Sequence, residues 1–501
     1  MRRQWSRSWG HSVRHGLPEL EAVLDASGAA EVIEAVMPQG GRPRQLPVRT
    51  LLLGLMLAAA EDRPAHLTRA HAALVSLPAS EHDRLSVSAA SRSGRHLLTY
   101  RQVEHTMRSL TKAVRDECGA ATGPVLSRVV EGLVGASIPT ELGAGGDLAV
   151  DWTDVESFAR PGRERHPSID ADASFGHRRG DAPGQDHETF FGYYLQLATT
   201  VAPVGSPDTP ELVRAMLVTS CSLDPPPAFV PVLSNLWASG VAPGDVLADC
   251  GYSHRQAEHW ALPLRALGAR LVQDLHPHDR GTKGTFGGAI AWNGELYCPA
   301  TPRGLFELGP LARGAGSEEQ AAHDRRFAEL SSYRLARIGA DSKDGYHRVI
   351  CPAVGGKLRC PLRAGSMSRG YEHPEVLSPP RHPPLCCSNQ TMTVPPAVMA
   401  KTAQRHPYPG PAWRKSYARR SAAERSNATL KDPARVSVER GWCRLMGLPA
   451  MTIMLACLVV VRNLRVLDSF AARPAREEPA SPARSRRRVP LQDLAACRPP
   501  P

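Results

Sequence analysis

Two short segments share one design, and they restrict the fold more than any other feature of the chain. Leu148-Ala-Val-Asp151-Trp-Thr and Val246-Leu-Ala-Asp249-Cys-Gly-Tyr both run apolar, then acidic, then polar or glycine. A short apolar run of this kind reads as a strand covered on both faces. An Asp closing such a strand stands at the carboxyl edge of the sheet, where open α/β folds place their ligands. A lone carboxylate desolvated there is costly unless a cation pairs with it. Two such edges side by side make a hard-oxygen site suited to Mg²⁺ or Mn²⁺. The plainer alternative is an Asp that only caps the turn or helix that follows it.

The surroundings extend the α/β pattern. Residues 141–279 alternate short apolar runs with helical periodicity. The runs lie at 147–151, 192–198, 213–219, 245–249 and 269–273, and helical patterns fill 228–239 and 256–267. Residues 1–140 read as a helical domain, with apolar residues at helical spacing over 46–60 and 100–114. From 280 to 400 Gly, Pro and Cys become frequent, and Tyr333-Arg-Leu-Ala-Arg-Ile and His347-Arg-Val-Ile-Cys-Pro look like short strands. This is read as a β-rich insertion. Helical periodicity returns from Trp413, so 401–470 would complete the core. Residues 471–501, with Arg484, Arg486, Arg487 and Arg488, have the composition of a disordered tail.

Composition narrows the partner. A formal net charge of +12 favours a polyanion, although an Arg excess over Lys equally suits a GC-rich coding sequence. Aromatics are 5 % of the chain, so its cores must rest on Leu, Val and Ala. Eleven cysteines, an odd number, do not make a secreted disulfide framework. The start, Met1-Arg-Arg-Gln-Trp, carries no apolar run behind its basic residues, so no signal peptide is expected. Residues 445–461 are apolar but include Pro449 and fall short of the roughly 20 residues of a membrane span. A buried core helix, no membrane and a cytoplasmic location are expected.

A third acid lies in Tyr417-Ala-Arg-Arg420-Ser-Ala-Ala-Glu424-Arg-Ser-Asn-Ala-Thr-Leu-Lys431. On one helix, Tyr417, Arg420, Glu424 and Lys431 share a face. A carboxylate flanked by two cations and a phenol is a poor core stripe. It suits an acid that helps hold a metal while its neighbours hold a phosphate backbone. A solvated helix with an i, i+4 pair between Arg420 and Glu424 is the alternative.

The spacing Tyr-x2-Arg-x3-Glu-x6-Lys resembles the signature of a large branch of DDE transposases of bacterial insertion sequences. Asp151 in Val-Asp-Trp-Thr and Asp249 in Ala-Asp-Cys-Gly-Tyr resemble that family's first and second acids. The segment from His187 to Tyr194 resembles the second strand of its catalytic domain. The resemblance covers about residues 141–470 and implies an RNase H-like catalytic domain, 141–279 and 401–470, interrupted by the β-rich insertion. It implies that Asp151, Asp249 and Glu424 converge on two Mg²⁺ or Mn²⁺ ions, with Tyr417, Arg420 and Lys431 against DNA. Asp154 is the competitor to Asp151, which is preferred because it ends the apolar run.

The implied function is metal-dependent cleavage and strand transfer of an insertion sequence. Its partners would be double-stranded DNA, both the terminal inverted repeats and the target, bound by a homodimer. An inactive or repurposed remnant that only binds DNA, and a nuclease without strand transfer, are the alternatives. Two further expectations concern the insertion. Cys351, Cys360, Cys386 and Cys387 could hold a structural Zn²⁺, although their spacing is not that of a standard finger. Trp292 could stack on a displaced base, although a lone Trp more often belongs to a core.

Overall fold

The structure is a computed structural model that describes residues 16–38, 46–91, 94–115, 123–142, 145–163, 166–178, 188–312, 314–432 and 437–473. The basic start, the arginine cluster of the tail and His187 lie outside these residues.

The amino-terminal part is helical, as its periodicity predicts, with one added hairpin. It comprises α1 (Leu17–Ser27), α2 (Ala29–Val36), α3 (Val48–Ala60), α4 (Leu67–Val75) and α5 (Ala79–Arg84), the hairpin of β1 (Ser88–Ser91) and β2 (Gly94–Leu97), then α6 (Tyr100–Ala113) and α7 (Pro124–Ala136). Helix α3 is apolar nearly all round and correspondingly buried on every side.

A mixed sheet follows. Strands β3 (Leu148–Glu156), β4 (Ser174–Arg178), β5 (Glu188–Thr200) and β6 (Val213–Ser220) precede α8 (Pro225–Ala238). Then come β7 (Asp245–Ala248), α9 (Cys250–Ser253), α10 (Ala261–Ala266) and β8 (Arg270–Gln273). The five main strands lie in the order β6-β5-β3-β7-β8, and β4 continues the β6 edge of β5. Strand β5 is antiparallel to β3 and β6, whereas β3, β7 and β8 are parallel. All five apolar runs of the sequence are strands of this sheet. One expectation changes. Asp151 does not close β3, because pairing with β5 carries the strand on to Glu156.

The insertion carries two three-stranded antiparallel sheets. One consists of β9 (Thr282–Phe286), β10 (Ala289–Trp292) and β11 (Glu295–Tyr297). The β10–β11 turn is Asn293-Gly294, both at positive φ, the pairing that a two-residue hairpin needs. After the 16-residue helix α11 (Ser317–Ser332) come β12 (Ala336–Ile338), β13 (His347–Ile350), the short α12 (Leu385–Ser388) and β14 (Met392–Val394), which form the second sheet. Alongside these sheets, Phe327 and Leu330 of α11 supply part of the insertion's core.

The chain returns to the large sheet with α13 (Pro411–Tyr417), a 3₁₀ turn (Ala418–Arg420) and α14 (Ser421–Leu430), and ends in α15 (Leu448–Ala471). Helix α15 is long and apolar enough to cross a membrane, yet 83 % of its apolar window is buried inside the protein. It packs with α1–α3, α6, α7 and the β5–β6 face in one hydrophobic cluster. The helical amino-terminal part and the sheet thus share a core, with α15 at its centre.

Candidate active site

The register of the parallel strands brings the first two acids together. Leu148 pairs with Val246 and Ala149 with Leu247. Two residues further along, the same register sets Asp151 of β3 level with Asp249, the residue just past the end of β7. Ala149 and Leu247 pack beneath Trp413, Ala422 and Ala423. With a side-chain period of two, Asp151 and Asp249 face that same side.

Burial, the negative charge of Asp249 and, more weakly, that of Glu424 push the Asp151 carboxyl up to about 7. Arg420 and the Trp152 amide act in the opposite direction. That amide donates to Asp151 Oδ1 at 3.0 Å, and Asn427 Nδ2 donates to Oδ2 at 3.2 Å. Asp249 also caps α9, its Oδ1 accepting from the amides of Gly251 (2.9 Å) and Tyr252 (3.4 Å). The capping role weighed from the sequence is therefore real, and it coexists with a place at the sheet edge. Near the pair, the rings of Trp152, Tyr252 and Trp260 touch in series at tilted angles, with centroids 4.7 and 4.6 Å apart.

Glu424 reaches the edge because α14 lies across β3 and β5 with a small-residue face inward. Ala422, Ala423, Ser426 and Leu430 are buried, and Glu424 is exposed. Ser426 Oγ receives hydrogen bonds from Thr199 Oγ1 of β5 (3.0 Å) and Arg462 Nη2 of α15 (2.7 Å), which sets the helix rotation. The expected single helix from Tyr417 to Lys431 is instead two helices joined by the 3₁₀ turn, with Lys431 as the C-terminal cap residue.

Arg420 lies between two of the acids. Its Nη2 donates to Glu424 Oε1, the i, i+4 pair anticipated as the alternative, and its Nη1 is 3.8 Å from Asp151 Oδ2. Burial opposes its charge, but Tyr417, Asp151, Glu424 and Asp249 outweigh that and raise its pKa. Tyr417 stacks on Trp413 at 4.8 Å, and burial holds its hydroxyl protonated far above neutrality. Lys431 Nζ is 2.8 Å from Asp154 Oδ1, and Arg178 Nη2 is 2.6 Å from Oδ2. Burial raises the Asp154 pKa, yet these hydrogen bonds overcome it and hold the carboxyl below its usual range. Asp154 is thus already neutralised by two cations.

Several residues near the edge are ones that the sequence analysis does not single out. Asn427, one turn beyond Glu424, is one. Asp274 is another: the β7–β8 register sets it level with Asp249, and it accepts from Tyr408 Oη (2.9 Å) and Arg280 Nη2 (3.2 Å). Its run, Leu271-Val-Gln-Asp274, ends on an acid as the other two segments do, and that signal was legible. His254, His276 and Asp279 form the one trio of candidate ligand atoms lying within 4.8 Å of one another among the described residues. Lys401 Nζ already holds Asp279 at 2.8 Å.

In the insertion, Cys351, Cys360 and Cys387 line one small cavity together with Cys298, which spacing did not single out. Cys386 lies against Cys387, sulfur to sulfur 3.9 Å, and does not line it. Trp292 is 1 % exposed and donates from Nε1 to the Phe306 carbonyl at 3.0 Å. It is a core residue, and the expectation that it stacks on a displaced base is withdrawn.

Comparison of the chain with family models, with curated proteins and with solved structures returns no significant match.

Proposed function

We propose that this chain is a DDE-type transposase with an RNase H-like core that cuts and rejoins DNA with Asp151, Asp249 and Glu424. The observation that carries this reading is the placement of Asp249, just past the end of β7, level with Asp151 of the neighbouring parallel strand β3, with Glu424 brought alongside by α14. The strand order, with one antiparallel strand in an otherwise parallel run beside the site, supports the RNase H-like assignment.

The donors fit a hard divalent cation. They are carboxylates, without thiol or imidazole among them. Burial and the two neighbouring carboxylates raise the proton affinity of Asp151, as expected where acids crowd around a site for positive charge. Mg²⁺ or Mn²⁺ ions bound there supply Lewis acidity for an in-line displacement at phosphorus. Asp151 on β3, Asp249 at the start of α9 and Glu424 on α14 would hold them. Arg420 balances the acids and is the cation best placed to meet a scissile phosphate. Tyr417, protonated at neutral pH, has a hydroxyl able to donate to a phosphate oxygen. Lys431 meets a neighbouring phosphate only by sharing its charge with Asp154.

The partners under this proposal are the terminal inverted repeats of an element and its target DNA, bound by a homodimer that pairs two ends at the chromosome. The test is a duplex ending in the repeats that flank the coding region, incubated with protein and Mn²⁺. Nicked and joined products are expected. Cutting without joining would indicate a nuclease, and binding without cutting a DNA-binding remnant.

A further inference from the structure

We infer that the insertion holds a structural zinc ion between Cys298, Cys351, Cys360 and Cys387. The four thiols are buried and free, and they line one cavity with about 10 Å³ of room. That is space for one water-sized body, but the remaining wall, including Leu358, Leu362 and Val376, is apolar apart from Arg363. A water there would meet one strongly polar group, Arg363, where a buried water needs about two to four partners. A soft-accepting divalent ion takes four thiolates in a tetrahedron.

Burial favours the neutral thiol at Cys298 and Cys360 in the metal-free chain, and local features offset part of that cost. Cys298-Pro-Ala, Cys351-Pro-Ala and Cys360-Pro-Leu repeat one turn motif. Proline contributes no amide, and the amides of Ala300 and Leu362 hydrogen-bond to the sulfurs two residues before them. Donors to sulfur favour its anionic form. Arg363 also lines the cavity, and its buried Nε has no partner among the described residues. A guanidinium there offsets the surplus negative charge of four thiolates around one divalent ion.

The fold has a need for such a staple. Between β13 and β14 the chain forms only a 3₁₀ turn (Ala364–Ser366) and the four-residue α12. A connection that long with so little ladder or helix of its own requires another constraint to hold one conformation. The cavity sits where two small cores meet, Cys298, Cys351 and Cys360 belonging to one and Cys387 to the other. The sulfurs stand further apart than a closed set within 4.8 Å. Binding at the usual zinc–sulfur distance of about 2.3 Å draws them inward.

The full-length protein, purified without chelator, is expected to contain about one zinc per chain by elemental analysis. C298S, C351S, C360S and C387S should each lose it, and C386S should keep it. Because a serine variant could fail to fold, the wild-type chain is also loaded with Co²⁺, and the thiolate-to-metal charge-transfer and tetrahedral visible bands are recorded. Zinc-free wild-type protein without those cobalt bands overturns the site. Loss of zinc from C386S with retention in C298S overturns the ligand set.

Discussion

Nη1 of Arg420 is 3.8 Å from Oδ2 of Asp151, while Nη2 of the same guanidinium is bonded to Glu424. One side chain thus links an acid of the central strand to an acid of α14. Its neighbour Arg419 points to the other end of the same strands, with Nη1 2.6 Å from Asp147 Oδ2 and Nη2 2.6 Å from Asp245 Oδ2. Two consecutive arginines therefore tie the carboxyl-terminal helices to the sheet at two levels, one structural and one at the candidate site.

Asp151→Ala, Asp249→Ala and Glu424→Ala are each expected to reduce cleavage in Mn²⁺ to background while DNA binding persists. A cleavage assay run beside a gel shift reads both. Asp154→Asn serves as the control: its carboxylate is occupied by Arg178 and Lys431, and most of the cutting should survive. Near-normal cutting by any of the three alanine variants would remove that residue from the site.

Asp151 also predicts a pH dependence of folding. Between its ordinary value of 3.8 and about 7, the folded chain holds a proton that the unfolded chain has released. Stability therefore falls as pH rises through that interval. In EDTA at pH 8, Asp151→Asn should be more stable than wild type by about 1–3 kcal/mol, and the difference should shrink towards pH 4. Mn²⁺ should raise the melting temperature of the wild type more than that of the variant. Equal melting temperatures for the two proteins at pH 8 in EDTA would show that Asp151 is not under this strain.

On the basic face, Arg420→Ala and Lys431→Ala should weaken DNA binding and make its log–log salt dependence shallower by about one unit each. Sequence preference should not change, because phosphate contacts position DNA without reading it. Tyr417→Phe removes no charge, so its slope should match wild type while cleavage slows. Titrations across a salt series with the three variants decide this. Unchanged slopes would leave Arg420 and Lys431 with only their intramolecular partners, Glu424 and Asp154.

Arg419→Ala tests the structural arginine. It strips a partly buried cation from Asp147 and Asp245, leaving Arg270 and Arg405 to balance them. A loss on the order of 3 kcal/mol is expected from removing one member of such a network. Chemical denaturation measures it, and a midpoint equal to that of wild type would show that the remaining arginines suffice.

The sequence by itself determined the elements whose formation depends on neighbours along the chain. An uninterrupted apolar run can be satisfied only as a buried strand or core helix, so the five strands of the main sheet and the burial of α15 were legible. Residue spacing likewise placed Tyr417, Arg420 and Glu424 together, and a 3₁₀ turn did not undo it. Tertiary structure decided what depends on partners far away in sequence. Strand β3 runs past Asp151 because β5 keeps supplying its hydrogen bonds, which no apolar pattern encodes. Asp154 is neutralised because Arg178 and Lys431 converge on it from different elements. Asn427 meets Asp151 across 276 residues, and Asp274 joins the edge only through the β7–β8 register. Cys298 replaces Cys386 at the thiol cavity for the same reason. Spacing measures distance along the chain, whereas convergence at a point is set by how packed elements are rotated and paired.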